Sequence, residues 1–287
     1  MRIIKIKKIL MVIFVFFMSL FLFACEEENN KPVVGVTIIP QSTFVKKVCG
    51  DLVDVVVLVP TGSSPETFEP KPKDMVKLNE AIAYFTIGVP TEDISVLSNL
   101  TNSTKVIRLE EKCREVYEDV TFSTGGRDPH IWLSPKRVIV MIETIRDEMI
   151  TLDPLNQDVY RQNAKVYIEE LKMLDNKIVK AIEESNVRDF IAFHPAFGYL
   201  AADYNLTMYS LEEDGKEATI EHLTKMIDFA KEKGIKVIFY QEEIDSSQSK
   251  TFADEIGGMA VKLEPLSADY VDNLLNMAKA IANLKYE

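Results

Sequence analysis

Short runs of β-branched and apolar residues alternate with longer amphipathic stretches along most of the chain, the pattern of βα units laid on a mostly parallel sheet. Val33 to Ile39, Val53 to Val59, Ile82 to Ile87 and Lys105 to Arg108 predict a first set of strands, with helices near Phe44, Met75 and Ile94 between them. A second set follows at Phe190 to Phe193, Leu206 to Leu211, Val237 to Tyr240 and Ala260 to Leu263, interleaved with helices near Tyr199, Ile227, Phe252 and Leu274. Two similar series predict an α/β fold of two lobes, residues 32–153 and 186–287.

One long helical pattern, residues 154–185, lies between the series. Asp153 reads as its N-cap and Pro154 as its first residue. Tyr160, Ala164, Tyr167, Leu171, Leu174 and Ile178 fall on one face in steps of four and three. At about 1.5 Å per residue the helix is roughly 45 Å long, the height of a two-lobed molecule. A coiled-coil dimer segment is the competing expectation, but fewer than about four heptads weaken it. The helix is therefore expected to be the backbone joining the lobes. Within the second lobe, Thr219 to Lys233 predicts an amphipathic helix with Ile220, Leu223, Ile227 and Ala230 inward.

Of the 287 residues 47% are hydrophobic and 27% charged, which argues against disorder. The formal net charge of −12 argues against a nucleic-acid backbone as partner. The cations are unevenly placed: Arg2, Lys5, Lys7 and Lys8 precede an uncharged run from Ile9 to Ala24. A basic start, an apolar run shorter than the roughly 20 residues of a spanning helix, and a small residue at its end predict a signal peptide over residues 1–24. Leu22-Phe23-Ala24-Cys25 resembles the bacterial lipobox, in which the Cys is acylated, so residues 25–31 are expected to be a lipid-anchored tether. The competing expectation is a plain signal peptide or signal anchor. Cys49 and Cys113 are too isolated for a metal or disulfide framework and read as small, partly buried side chains.

Candidate chemistry concentrates in two places where a His stands beside a proline. In Asp128-Pro129-His130-Ile131-Trp132-Leu133-Ser134-Pro135 the Ser-Pro pair looks like a helix start, which leaves His130 in the loop before it. In Phe193-His194-Pro195 an apolar strand ends, and the carboxyl ends of parallel strands are where open α/β sheets place ligands. Each His alone is more often a packed or capping residue. Two of the chain's three His in such positions, one per lobe and with carboxylates at hand, favour a shared metal ion. His222, inside the Thr219 to Lys233 pattern, is expected at the surface, and Trp132 in the core.

These segments resemble, in order and over nearly all of the mature chain, the zinc and manganese solute-binding lipoproteins of bacterial ABC importers. The family's Gly-x-x-Pro-His-x-Tyr/Phe-Glu-Pro loop is matched by Gly62-Ser63-Ser64-Pro65-Glu66-Thr67-Phe68-Glu69-Pro70. DPHIWLSP matches its second ligand motif with His130 in place, and FHPAFGYLAADYNL its third with His194. Leu263-Glu264-Pro265-Leu266 is similar to its Leu-Asp-Pro-Leu, whose carboxylate is the fourth ligand. Glu66 thus replaces a His and Glu264 an Asp. The resemblance implies a helical-backbone metal receptor, not an enzyme, with Glu66, His130, His194 and Glu264 as ligands from the two lobes.

Zinc is expected first, since the Irving–Williams order favours it over manganese at mixed N/O sites; manganese comes second because carboxylates suit it. Glu69 competes weakly with Glu66, while Asp128 and Glu243 are expected as outer groups that orient ligands. The implied partners are an ABC permease and, through Cys25, the cell membrane. The carrier is expected outside the cytoplasmic membrane and monomeric. Two alternatives from other classes remain open: a secreted metal-dependent hydrolase, against which no HExxH or GxSxG is found, and a surface adhesin.

Overall fold

The computed structural model describes residues 31–212, 218–243 and 246–283. The expected signal peptide and the Cys25 anchor lie outside the described residues, as does the tether up to residue 30. Each apolar run becomes a strand of a parallel sheet. In the first sheet β1 (Val33–Val36), β2 (Asp54–Val57), β3 (Ala83–Thr86) and β4 (Lys105–Arg108) stand in the order β2-β1-β3-β4. In the second, β5 (Asp189–Ala192), β6 (Thr207–Ser210), β7 (Val237–Gln241) and β8 (Met259–Leu263) repeat that order as β6-β5-β7-β8. Within both sheets the strand pairs of the described residues are parallel. Chain direction across each sheet reverses between its two central strands, β1 and β3 in the first and β5 and β7 in the second. A crevice opens outside the carboxyl ends at such a point.

The first lobe carries helices α1 (Ile39–Cys49), α2 (Pro72–Leu78), α3 (Leu109–Arg114) and α4 (Pro135–Leu152). Ser134 caps α4 as expected, its hydroxyl accepting from the Arg137 amide, with Pro135 in the first turn. The long helix α5 (Gln157–Glu183) starts three residues later than its pattern predicts, because Pro154–Asn156 forms a separate 3-10 turn. Asp153 does not cap it; its carboxylate accepts from Tyr160 Oη and Asn156 Nδ2 instead. The region near Ile94 is a short π-helical turn, Glu92–Val96, and Ile94 is exposed. This turn turns inward through Glu92, whose buried carboxylate accepts from Thr37 Oγ1 and from the Ile87 and Gly88 amides at 2.8 and 2.7 Å. Burial, with the nearby Glu110 charge adding, pushes the Glu92 carboxyl up to about 8 against the hydrogen bonds that favour its ionised form.

The second lobe adds α6 (Gly198–Asp203), α7 (Ile220–Lys233), α8 (Ser246–Glu255) and α9 (Tyr270–Ala282). Ile220 is not inward as its helical phase predicts: it opens the first turn of α7 and is 84% exposed, while Met226 and Ala230 carry the buried face. Along α5 the whole predicted stripe, Tyr160 to Ile178, is buried and extends to Ile182. That stripe joins one continuous apolar core reaching from Val34 and Phe85 in the first lobe to Phe190, Phe239 and Tyr270 in the second. Each fully buried Leu or Ile of the stripe contributes roughly 1.5–3 kcal/mol, so the helix welds the two sheets into one unit. Cys49 and Cys113 are free and buried, and burial pushes both thiols up to about 12. No described helix is long and apolar enough to cross a membrane.

Candidate metal centre

Three side chains from three separate loops converge where the two sheets face each other. Glu66 lies in the loop after β2, His130 just before the 3-10 turn Ile131–Leu133 that leads into α4, and His194 two residues past the end of β5. His130 Nε2 and His194 Nε2 are 3.4 Å apart, and Glu66 Oε1 lies 3.6 Å from the first and 3.5 Å from the second. Both imidazoles are buried; the Glu66 side chain is 18% exposed. The three ligand atoms border a cavity of about 10 Å³, lined also by Ser64, Trp132, Gln241 and Glu243. That is room for a single ion or water.

Each imidazole is held from behind. His130 Nδ1 meets Asp128 Oδ1 at 2.7 Å, and the same oxygen accepts the His130 backbone amide at 2.8 Å. His194 Nδ1 meets Glu212 Oε2 at 2.7 Å. A carboxylate on the far nitrogen places the proton there and turns the Nε2 lone pair into the cavity, which is how metal-binding histidines are usually oriented. Burial disfavours a charged His194, but its bonds to Glu212 and Glu66 outweigh that and push it up to about 9. Burial likewise opposes ionisation of Glu66, yet the His194 bond and the charges of both imidazoles leave its carboxyl below the usual range.

Among the described residues, Glu66, His130 and His194 form the one group of such side chains close enough to share a metal. Asp128 contacts both the ring and the backbone amide of His130. Glu69 is exposed and stands outside the group. Glu264 is not brought to the group: its carboxylate is 49% exposed and pairs with Lys262 Nζ at 2.8 Å. Glu243 does line the cavity, and its Oε2 is buried without a hydrogen-bond partner. Burial pushes the Glu243 carboxyl up, and Glu242 and Glu264 add to this. His222 stays apart, its Nε2 on the Ser210 carbonyl at 3.0 Å. Trp132 is fully buried in the core, as expected, and also stands with its ring 5.1 Å from that of His130. The one orienting residue that the sequence did not reveal is Glu212. Its only signal was a position at the carboxyl end of β6, beside the strand that delivers His194.

Residues 34–284 match the family model described as zinc-uptake complex component A, periplasmic (ZnuA). The chain belongs to this family. Among curated relatives, the zinc-binding protein AdcA of Streptococcus pyogenes serotype M3 is 30% identical over 262 residues, covering 83% of this chain and 51% of AdcA. The chain thus spans about half the length of that relative. The high-affinity zinc uptake system protein ZnuA of Bacillus subtilis is 30% identical over 258 residues, covering 85% of this chain and 81% of its own. Among solved structures, a zinc-bound ZnuA deletion mutant aligns with a TM-score of 0.82 at 36% identity, over 88% of this chain and 97% of that one. The periplasmic zinc-binding protein TroA of Treponema pallidum shares the fold, with a TM-score of 0.81 at 20% identity and coverage of 88% and 98%.

Proposed function

We propose that this ZnuA-family chain is the extracytoplasmic receptor of an ABC importer. It captures a divalent transition metal, zinc first and manganese second, and delivers it to a membrane permease. Glu66, His130 and His194 are the ligands, and the carrier is held at the membrane by lipid on Cys25. The observation that carries the reading is the spacing of the three ligand atoms, 3.4 to 3.6 Å. Zinc bonds of about 2.0–2.1 Å set tetrahedral ligands about 3.4 Å apart, so the three atoms mark one face of a zinc-sized tetrahedron. The names of the relatives, a zinc-binding protein and a zinc uptake system protein, support the same cargo. Capture rather than catalysis fits a cavity with space for the ion and no room for an organic substrate beside it.

Loading follows from the charges. Before metal arrives, the proton that Glu66 and His194 share offsets the carboxylate. The incoming ion displaces that proton and takes up both lone pairs. Glu66 and His130 come from the first lobe and His194 from the second, so the ion adds a tie between them.

The test is a calorimetric titration of the metal-stripped protein with zinc and with manganese at one pH. One tight equivalent of zinc that displaces manganese is the expected result. Tight manganese binding that survives excess zinc would reassign the cargo, and no tight binding of either ion would remove the receptor function altogether.

A further inference from the structure

Three protein atoms cover one face of a tetrahedron and leave its fourth corner open. The sequence pattern points to Glu264 for that corner; the structure offers a second carboxylate, Glu243, which stands outside the group of three but lines the cavity, as Glu264 does not. On the assumption that the metal-receptor reading above is right, we propose that Glu243 supplies the fourth ligand and that Glu264 remains outside the coordination sphere.

Sheet topology comes first. His194 follows β5, and among the described residues the strands paired with β5 are β6 and β7. Adjacent strands lie about 4.8 Å apart, so a residue leaving β7 emerges one spacing from His194, whereas one leaving β8 emerges two. Ala192 is in register with Phe239, which carried two residues on sets His194 level with Gln241. The crevice between β5 and β7 is also the point of reversal in this sheet, where α/β proteins place their ligands.

The side-chain directions come second. Gln241 is the last residue of β7, and Glu242 and Glu243 form the turn that follows it. Gln241 and Glu243 both line the metal cavity, while Glu242, between them, points away and bonds Lys262 Nζ at 3.1 Å. Lys262 also holds Glu264 at 2.8 Å, so one ammonium clamps both of the carboxylates that face out. Bringing Glu264 to the ion would break that pair and leave Lys262 with Glu242 alone.

Charge and satisfaction come third. Glu243 Oε2 is buried and without a partner, a costly state for a carboxylate oxygen unless something occupies the cavity in front of it. The other polar groups around the cavity are committed or neutral. Ser64 Oγ accepts the Glu66 amide, and Trp132 Nε1 donates to the Pro265 carbonyl. Gln241 lines the cavity but carries no charge. Two imidazoles and Glu66 leave a divalent ion with one uncompensated charge; the Glu243 carboxylate makes the site neutral, which a buried ion requires.

The test compares Glu243→Gln, Glu264→Gln and Gln241→Ala in the full chain, by zinc competition against a chelating dye and by the visible spectrum of the cobalt(II)-loaded protein. Glu243→Gln should weaken zinc binding at least about tenfold and lower the intensity of the tetrahedral cobalt bands. Glu264→Gln should change affinity less than about threefold and leave the spectrum as it is. Unchanged melting temperatures of the metal-free variants show that the fold has survived, and Glu243→Asp serves as second variant if Glu243→Gln is unstable. Loss on Glu264→Gln or Gln241→Ala with Glu243→Gln unaffected overturns the proposal while leaving the receptor intact. Failure of the unmutated protein to bind zinc overturns the receptor instead.

Discussion

Replacing Glu66 with Ala removes the only anion among the three converging ligands. Two imidazoles 3.4 Å apart would remain to hold a doubly charged ion in a cavity of about 10 Å³. Loss of an orienting carboxylate behind a ligand commonly costs about 10- to 100-fold in affinity. A direct ligand must exceed the lower end of that range, so Glu66→Ala should weaken zinc binding at least about tenfold, or about 1.4 kcal/mol, with about a hundredfold the central figure. The truncation is benign for the fold, because Glu66 lies in a loop and its backbone amide contacts only Ser64 Oγ. The assay is built into the chain: its only tryptophan, Trp132, stands 5.1 Å from the His130 ring and should report occupancy by fluorescence. Competition with a chelating dye then gives the affinity. Zinc binding within twofold of the unmutated protein, with the melting temperature of the metal-free form unchanged, would refute the assignment of Glu66 as a ligand.

Asp128→Asn and Glu212→Gln each remove the anion behind one imidazole and should weaken zinc binding by about 10- to 100-fold while leaving the three ligands in place; equal affinity in both by dye competition would show that the imidazoles orient themselves. A Cβ on Gly198 would collide with Asp128 Oδ2, so Gly198→Ala should push that carboxylate off His130 and lower zinc affinity without touching a ligand; zinc titration alongside Asp128→Asn checks it, and wild-type affinity would rule the contact out. Metal binds only neutral imidazole and His194 ionises near 9, so zinc affinity should rise about tenfold per pH unit from 7 to 9 and flatten above; a titration series that is flat below 9 would contradict the shared proton. Glu92 keeps its proton in the fold up to about 8 but loses it near 4.5 when unfolded, so stability should fall as pH rises through that window. Denaturant unfolding of Glu92→Gln between pH 5 and 8 should lack that slope, and a parallel decline in both proteins would place its origin elsewhere.

The strands of the described residues were visible in the sequence as short apolar runs, most plainly the central β1, β3, β5 and β7, which are largely buried, while the edge strands β2, β4, β6 and β8 are more exposed and β4 carries only two apolar residues between Lys105 and Arg108. The long helix was visible for the opposite reason, a single apolar stripe on a polar cylinder. Errors arose where local chain geometry overrides periodicity. Pro154 cannot donate an amide and opens a 3-10 turn, which delays α5, while Ile220 keeps the helical phase of its neighbours but sits exposed in the first turn. At the site, His130 and His194 were legible because each ends an apolar segment beside a proline. Glu212 was not, since only the pairing of β5 with β6 carries it across 18 residues of sequence to His194. The choice between Glu243 and Glu264 depends on which face of each strand end meets Lys262, a fact of tertiary pairing that spacing along the chain does not contain.

The freedom of the three converging side chains is unequal, and this bears on how a molecule of this build can open. Bonds other than those at the metal site already tie the lobes. Trp132 Nε1 donates to the Pro265 carbonyl at 2.9 Å, Tyr270 Oη to the Trp132 carbonyl at 2.7 Å, and Arg137 Nη1 to Asp203 Oδ1 at 3.0 Å. Beneath them the apolar core runs unbroken through α5. A rigid swing of one lobe away from the other would break several buried hydrogen bonds at about 1 kcal/mol each, and more for the charged pair, besides exposing core surface. His130 is two residues from Trp132 and is fixed with it; His194 is held by Glu212. Glu66 is the most exposed of the three and rides on a loop whose side-chain ties are Ser64 Oγ to its own amide and Thr91 Oγ1 to the Phe68 carbonyl. Loss of an ion held by these three side chains would therefore free the Glu66 loop before it freed the lobes, and the residue that stands where the resembling motif has histidine is the one whose position the fold constrains least.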